Sequence, residues 1–203
     1  QEQTAIQDRG TAYLNYDLFV QNPTTPTTWM DFAEVQFILA EAAVKGLIAG
    51  GETAAKTYYQ NGLAASVDRW AKIAASQLNN AYVLSDVERE FFLDCDLTSW
   101  PAENTEAQLK RIAEQKYIAL FMIGFEGFHE LHRTGYPELT IGAGCIYNLG
   151  DDNKPVFPTR FAYPATTLAT NYNNCNTALQ RMGGPNNMRT HLWWSKAAIA
   201  SGK

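Results

Sequence analysis

Only three cysteines, three histidines and 18% charged residues occur among 203, which leaves few ways to build a metal, disulfide or strongly charged site. Cys95, Cys145 and Cys175 lie in neither a CxxC nor a His-paired spacing, so no zinc site is expected. Their odd number excludes a disulfide framework that uses them all, and small buried apolar roles are the first expectation. Basic residues are outnumbered, 16 against 21 acids for a net charge of −5. That balance argues against nucleic acid, whose binding rests on neutralising phosphates with Lys and Arg. No apolar run approaches the ~20 residues of a membrane helix; the longest lies around 118–125. The Gly pairs at 50–51 and 183–184 neither lead into Lys-Ser/Thr nor complete G-x-G-x-x-G, so no phosphate cradle is indicated. No G-x-S-x-G marks a nucleophile.

What the chain does have is apolar content, 46% of residues, enough at this length to bury roughly 70% of the unfolded surface. Charge is uneven: residues 31–134 carry 15 acids and 9 bases, and 135–203 carry 3 acids and 6 bases. Texture changes at the same point. Up to Gly135 the chain reads as helices, and beyond it Gly, Pro and Asn crowd the sequence. The organisation expected is an irregular lead-in over 1–28, a helical region over 29–135, and a loop-rich region over 136–203 that packs on the helices.

Leu14, Tyr16, Leu18 and Val20 alternate, the spacing of a short strand. Thr28 followed by Asp31 has capping-box spacing, which places a helix after Thr28. Phe32, Val35, Leu39, Ala42 and Ala43 would be its buried face and Gly46 its stop. A second helix is expected over about 53–78 with Trp70 in the core, and Ser85 with Glu88 spells a capping box for a short third. The longest helical pattern, about 105–132, is interrupted by Gly124 and Gly127, each costing about 1 kcal/mol against Ala. A kink or turn is expected there, with Gly135 and Pro137 ending the pattern. In the tail, 155–164 (PVFPTRFAYP) reads as extended, followed by short helical pieces at 167–174 and 175–182. Helices of these lengths suit tetratricopeptide (TPR)-like hairpins, giving an all-α chain with an irregular, loop-rich C-terminal tail.

Five segments in order tell more than any one of them. These are MDFAEVQFILAEAAVKG (30–46), AAKTYYQNGLAASVDRW (54–70), LKRIAEQKYIALFMIGFEGFHELHRTGYPEL (109–139), RFAYPATTLATNYNN (160–174) and GGPNNMRTHLWWSK (183–196). They resemble the C-terminal part of the SusD/RagB family of Bacteroidetes outer-membrane lipoproteins, over roughly residues 29–196. The most specific block is EQKYIAL…GFE…E…RTGYP. The resemblance implies TPR-like helix pairs and a glycan-binding or peptide-binding role without catalysis or a cofactor. It also implies surface exposure through a lipid anchor outside this stretch, and delivery of ligand to a SusC-like TonB-dependent transporter. Complete members are more than twice this long and carry a signal and a lipidated Cys, so the chain is expected to be a partial domain of that kind. It should then expose an apolar patch beyond the roughly few hundred Å² usual for monomers. His132 stands where the family more usually has Arg. The family's aromatic ligand platform draws largely on sequence upstream, so no binding residue is carried over. A TPR-type protein-interaction scaffold without a small ligand is the alternative.

Glu126 and His129 have the Glu-x-x-His spacing of di-iron bundles, with Glu130 and His132 adjacent, but that site needs a second Glu-x-x-His. The one remaining histidine, His191, lies in the tail, so a solvated or hydrogen-bonded helix face is expected. Asp94, Asp96, Glu103 and Glu106 lie in no motif that drives one carboxyl pKa away from another, so no catalytic pair is assigned. Aromatics carry more weight, because sugar rings present apolar C–H faces that stack on Trp and Tyr. Trp100, between Ser99 and Pro101 in a loop, is the candidate ligand contact. Trp29 completes the heavy aromatic set. Of Trp193 and Trp194, one should face in and one out. Arg160, among Phe157, Phe161 and Tyr163, would stack on a ring or pair with an acid.

Overall fold

The computed structural model describes residues 14–21, 26–77, 84–102, 104–140 and 157–195. Among them every regular element is helical, and the chain forms two compact units, residues 1–103 and 104–203. Cys145 and Glu103 lie outside the described residues.

In the first unit, residues 14–20 are not the strand that their alternation suggested. Asn15 Oδ1 accepts the Leu18 amide at 3.0 Å, and a π-helical turn follows over Asp17–Gln21. An Asn side chain bonding its own backbone competes with sheet pairing. The turn buries Leu18 and sets Phe19 5.5 Å from Trp70. Helix α1 (Phe32–Val44) is capped by Asp31, not Thr28: Asp31 Oδ1 accepts the Glu34 amide at 2.8 Å. Its other oxygen takes Arg69 Nη1 at 3.0 Å, and Arg69 Nη2 donates to Thr28 Oγ1. One carboxylate thus caps α1 and ties it to α2 (Gly51–Gln77).

The buried face of α1 is also not the one that spacing suggested. Ala33, Phe37, Ala40 and Ala43 are buried, while Phe32, Val35 and Ile38 are exposed. Small residues win because they let α2 come close. Gly62 sits against the Phe37 ring, where an added Cβ would lie 3.0 Å from a ring carbon. Phe37 and Tyr59 meet at 6.0 Å. Contacts run 37 to 59, 36 to 61 and 31 to 69, so the pair is an antiparallel hairpin closed by residues 45–50. Helix α3 (Asp86–Leu93) opens on the full Ser85/Glu88 capping box. A bidentate Arg89–Asp68 pair holds it to α2, and the hydrogen-bonding guanidinium keeps the Asp68 carboxyl below its ordinary range. Trp70 is half-buried, packed by Phe19 on one side and Arg69 on another, because the far half of α2 has few core neighbours.

In the second unit the long helical pattern divides into α4 (Thr105–Ala119) and α5 (Glu126–Thr134). The break carries two left-handed residues, Met122 at φ 62° and Gly124 at φ 49°. Gly127, in contrast, fits inside α5 against Tyr117. The antiparallel pair is fixed by Lys116 Nζ to Glu130 Oε2 at 3.2 Å, both ends buried, and Arg133 Nη2, one turn along α5, holds the other oxygen of Glu130 at 2.7 Å. At the other end Tyr136 OH donates to Glu106 at 2.7 Å, which pushes the phenol pKa up to about 12. Gly135 caps α5 in the left-handed region. In the tail α6 (Ala165–Thr170) and α7 (Tyr172–Met182) are separated at Asn171, a few residues earlier than the spacing suggested. Each unit therefore contributes one TPR-like hairpin, and the tail is irregular.

Candidate functional site

Among the described residues, two clefts are large enough for a ligand. The larger, about 620 Å³, lies in the first unit between the start of α1 and the middle of α2. Most of its charged lining is already engaged internally, Asp31 with Arg69 and Asp68 with Arg89, beside Lys72. Occupying it would mean competing with those pairs.

The second cleft, about 510 Å³, lies in the second unit beside α5. Helix α5 supplies Phe128 and His129, with Phe125 just ahead of it; the tail supplies Arg160, Phe161, Tyr163, Leu192 and Trp194. Residues 125, 128, 129 and 132 recur at helical spacing and face the tail. His132 Nε2 donates to the Pro158 carbonyl at 2.9 Å, and its partial burial lowers the imidazole pKa. This bond pins the tail to α5. Farther along, Thr159 N donates to Met188 O at 2.7 Å, and its hydroxyl to Thr190 O at 2.9 Å. Asn186 exchanges hydrogen bonds with both backbone groups of Tyr163, at 2.8 and 3.0 Å. Gly184 is needed here, since a Cβ would meet Thr190 Cγ2 at 2.5 Å. The tail is irregular but tightly tied, which suits a preformed wall.

At the mouth, Phe125 and Phe161 meet edge to face at 5.7 Å, both exposed. His129 meets Trp194 at 6.0 Å and nearly perpendicular. Arg160 stacks over Tyr163 at 5.0 Å and donates Nη2 to Asn186 Oδ1 at 3.3 Å. Its Nη1 is buried without a hydrogen-bond partner. Among the described residues no carboxylate lines this cleft.

The residues singled out by sequence fall in different places. Trp100 is half-buried in the first unit, its ring 5.2 Å from Tyr59 and its Nε1 3.4 Å from Glu52. Trp193 is exposed and Trp194 turns into the cleft, one out and one in as alternation requires. Arg160 stacks on a ring rather than pairing with an acid among the described residues. Of the Glu-x-x-His neighbourhood, Glu130 is held by Lys116 and Arg133 while His129 faces the cleft. Asp94 ends α3, Asp96 is exposed in the following turn, and Glu106 accepts from Tyr136. Cys175 is buried; Cys95 is half-buried, its thiol pKa lowered by the Thr98 hydroxyl. Neither Phe125 nor Phe128 stands out as a site residue from sequence. Their joint spacing with His129 and His132 was the available signal.

Comparison with known proteins places this geometry among relatives. A profile described as Susd and RagB outer membrane lipoprotein matches residues 3–195. Among solved structures, a Bacteroidetes SusD-like protein is similar with a TM-score of 0.66 at 27% identity, over 82% of this chain and 30% of its own. A SusD homologue from Bacteroides fragilis gives a TM-score of 0.63 at 28% identity, over 83% and 35%. A chitin-binding SusD homologue from Flavobacterium johnsoniae gives 0.58 at 25% identity, over 81% and 36%. The chain thus spans about a third of the length of these structures. A comparison with curated proteins gave no match.

Proposed function

This chain belongs to the SusD-like family of Susd and RagB outer membrane lipoproteins, and on that premise we propose that it is part of a non-catalytic glycan-binding protein displayed at the outer-membrane surface. The protein is held there by a lipid anchor, and its partner is a SusC-like TonB-dependent transporter that receives the captured oligosaccharide. The aromatic cleft beside α5 carries the reading. Rings at its mouth offer stacking faces to sugar C–H groups, and Arg160 and His129 offer donors to hydroxyls. The chitin-binding relative supports a glycan as cargo.

Trp100, part-open beside Glu52 in the first unit, offers a separate stacking face. Calorimetry against a panel of oligosaccharides should give micromolar-to-millimolar binding, weakened by Trp194→Ala. Affinity capture from outer membranes should bring down a TonB-dependent transporter. Absence of heat with every glycan, or capture of soluble partners alone, would replace this reading with a protein-interaction scaffold.

A further inference from the structure

We propose that the cleft beside α5 takes a sugar bearing a carboxylate, a uronate, with its ring on the aromatic wall and its carboxylate drawn to Arg160. The inference rests on the glycan reading above and narrows it. A guanidinium stays charged at every accessible pH. Arg160 is only 7% exposed, yet among the described residues its polar contacts are a neutral amide oxygen and the face of Tyr163. Its buried Nη1 has no hydrogen-bond partner among them. Lys116, also buried in this unit, is met by Glu130 at 3.2 Å. A desolvated cation without a counter-charge is unfavourable, and a buried ion is normally paired. An anion entering the cleft supplies the missing charge.

The rest of the wall says what kind of anion. Among the described residues no acid lines it, so an entering carboxylate meets no repulsion from them. His129, exposed on α5 and in ring contact with Phe128 and Trp194, is a second donor at the mouth. The volume, about 510 Å³, falls in the ~300–1,000 Å³ range of small-molecule sites, far more than a bare ion fills. Exposed Phe125 and Phe161 and half-buried Trp194 line the same cleft as the charge. A ring with a carboxylate satisfies both features; a neutral sugar leaves the charge unanswered.

The test is calorimetry on the purified protein with galacturonate and glucuronate oligosaccharides, each as the free acid and as its methyl ester. The acid should bind roughly ten- to a hundredfold tighter than the ester, as expected for a charge-assisted hydrogen bond. Arg160→Gln should erase that preference and Arg160→Lys should keep part of it, while Trp194→Ala should weaken both forms alike. Melting curves verify that each variant is folded. Ester binding equal to acid binding overturns the uronate inference and leaves the glycan reading standing. So does a preference that survives in a folded Arg160→Gln protein. Binding of no glycan, acidic or neutral, or of acidic peptides alone, overturns the glycan reading itself.

Discussion

Replacing Glu130 by Gln tests the link that joins α4 to α5. Glu130 is 5% exposed and Lys116 6%, and they meet at 3.2 Å. Arg133 adds two bonds to the same carboxylate, at 3.0 and 2.7 Å. Gln keeps the shape and some hydrogen bonding but strips the charge, so Lys116 is left as an uncompensated buried cation. Breaking one side of a buried pair costs about 3–5 kcal/mol, whereas replacing both sides with apolar residues of similar volume is often neutral. The solvent-exposed Arg133 contribution belongs at the small end, about 0–1 kcal/mol. We therefore expect Glu130→Gln to lose about 3 kcal/mol. At about 2–4 °C per kcal/mol for a chain of this size, that is roughly 6–12 °C of melting temperature. The double variant Lys116→Met/Glu130→Leu should recover most of it. The assay is urea and thermal unfolding of these variants together with Lys116→Met and Glu130→Leu alone, which close a double-mutant cycle. Loss below about 1 kcal/mol for Glu130→Gln would place the pair in the energetic class of surface bridges and refute the reasoning.

Three other outcomes are expected. Gly62→Ala should destabilise the α1–α2 hairpin: helix propensity gains about 1 kcal/mol, but the new Cβ lies 3.0 Å from the fully buried Phe37 ring, and overpacking costs about 1–3 kcal/mol. Amide exchange across α2 would check it, and faster exchange in the variant is the expected sign. The Asp68 carboxyl pKa is depressed by Arg89, below the ordinary 3.8. Its contribution is therefore complete above that value and lost as pH falls through the lower folded one. Helix α3 should loosen from α2 in that acid window, and Asp68→Asn should remove this part of the pH dependence in exchange measurements. His132 is depressed below its ordinary 6.5, chiefly by burial. Acidification below about that value favours the unfolded chain, which binds the proton more readily. The tail anchored on Pro158 should melt earlier at pH 5 than at pH 7, and His132→Gln should flatten that difference.

Much of the architecture was legible because it rests on local chemistry. The Ser85/Glu88 box, the break near Gly124 and the stop at Gly135 are each settled by backbone hydrogen bonding within a few residues. The face of α1 was not legible, since Phe32, Val35, Phe37, Ile38 and Leu39 surround the helix and periodicity cannot choose among them. Close approach of Gly62 made the choice, and that is a property of α2. What remains outside is an exposed apolar stripe of Phe32, Val35 and Ile38 beside Trp29 and Met30. The strand expected at 14–20 failed for a similar reason. Alternation records which side chains are apolar, but Asn15 had a nearer backbone partner to offer. The site was half legible. Arg160 among aromatics and the inward turn of one tail tryptophan follow from sequence, but their meeting with His129 depends on tail bonds spanning more than twenty residues.

The break between α4 and α5 links stability to binding. An uninterrupted helix would keep Leu109, Ile112, Tyr117, Leu120, Phe128 and Leu131 on one stripe. The turn over 120–125 resets the phase and gives α5 two faces. Gly127 and Glu130 meet α4 at Tyr117 and Lys116, while Phe128, His129 and His132 meet the tail. At 100° per residue, adjacent Glu130 and His129 cannot serve the same side. The ion pair that secures one face thereby sets the angle at which the other presents its rings. A variant that loosens Glu130 should thus weaken ligand binding without touching the cleft, and Lys116→Met/Glu130→Leu should restore both together. If the double variant regains stability but not affinity, the orientation of α5 is set by the tail instead.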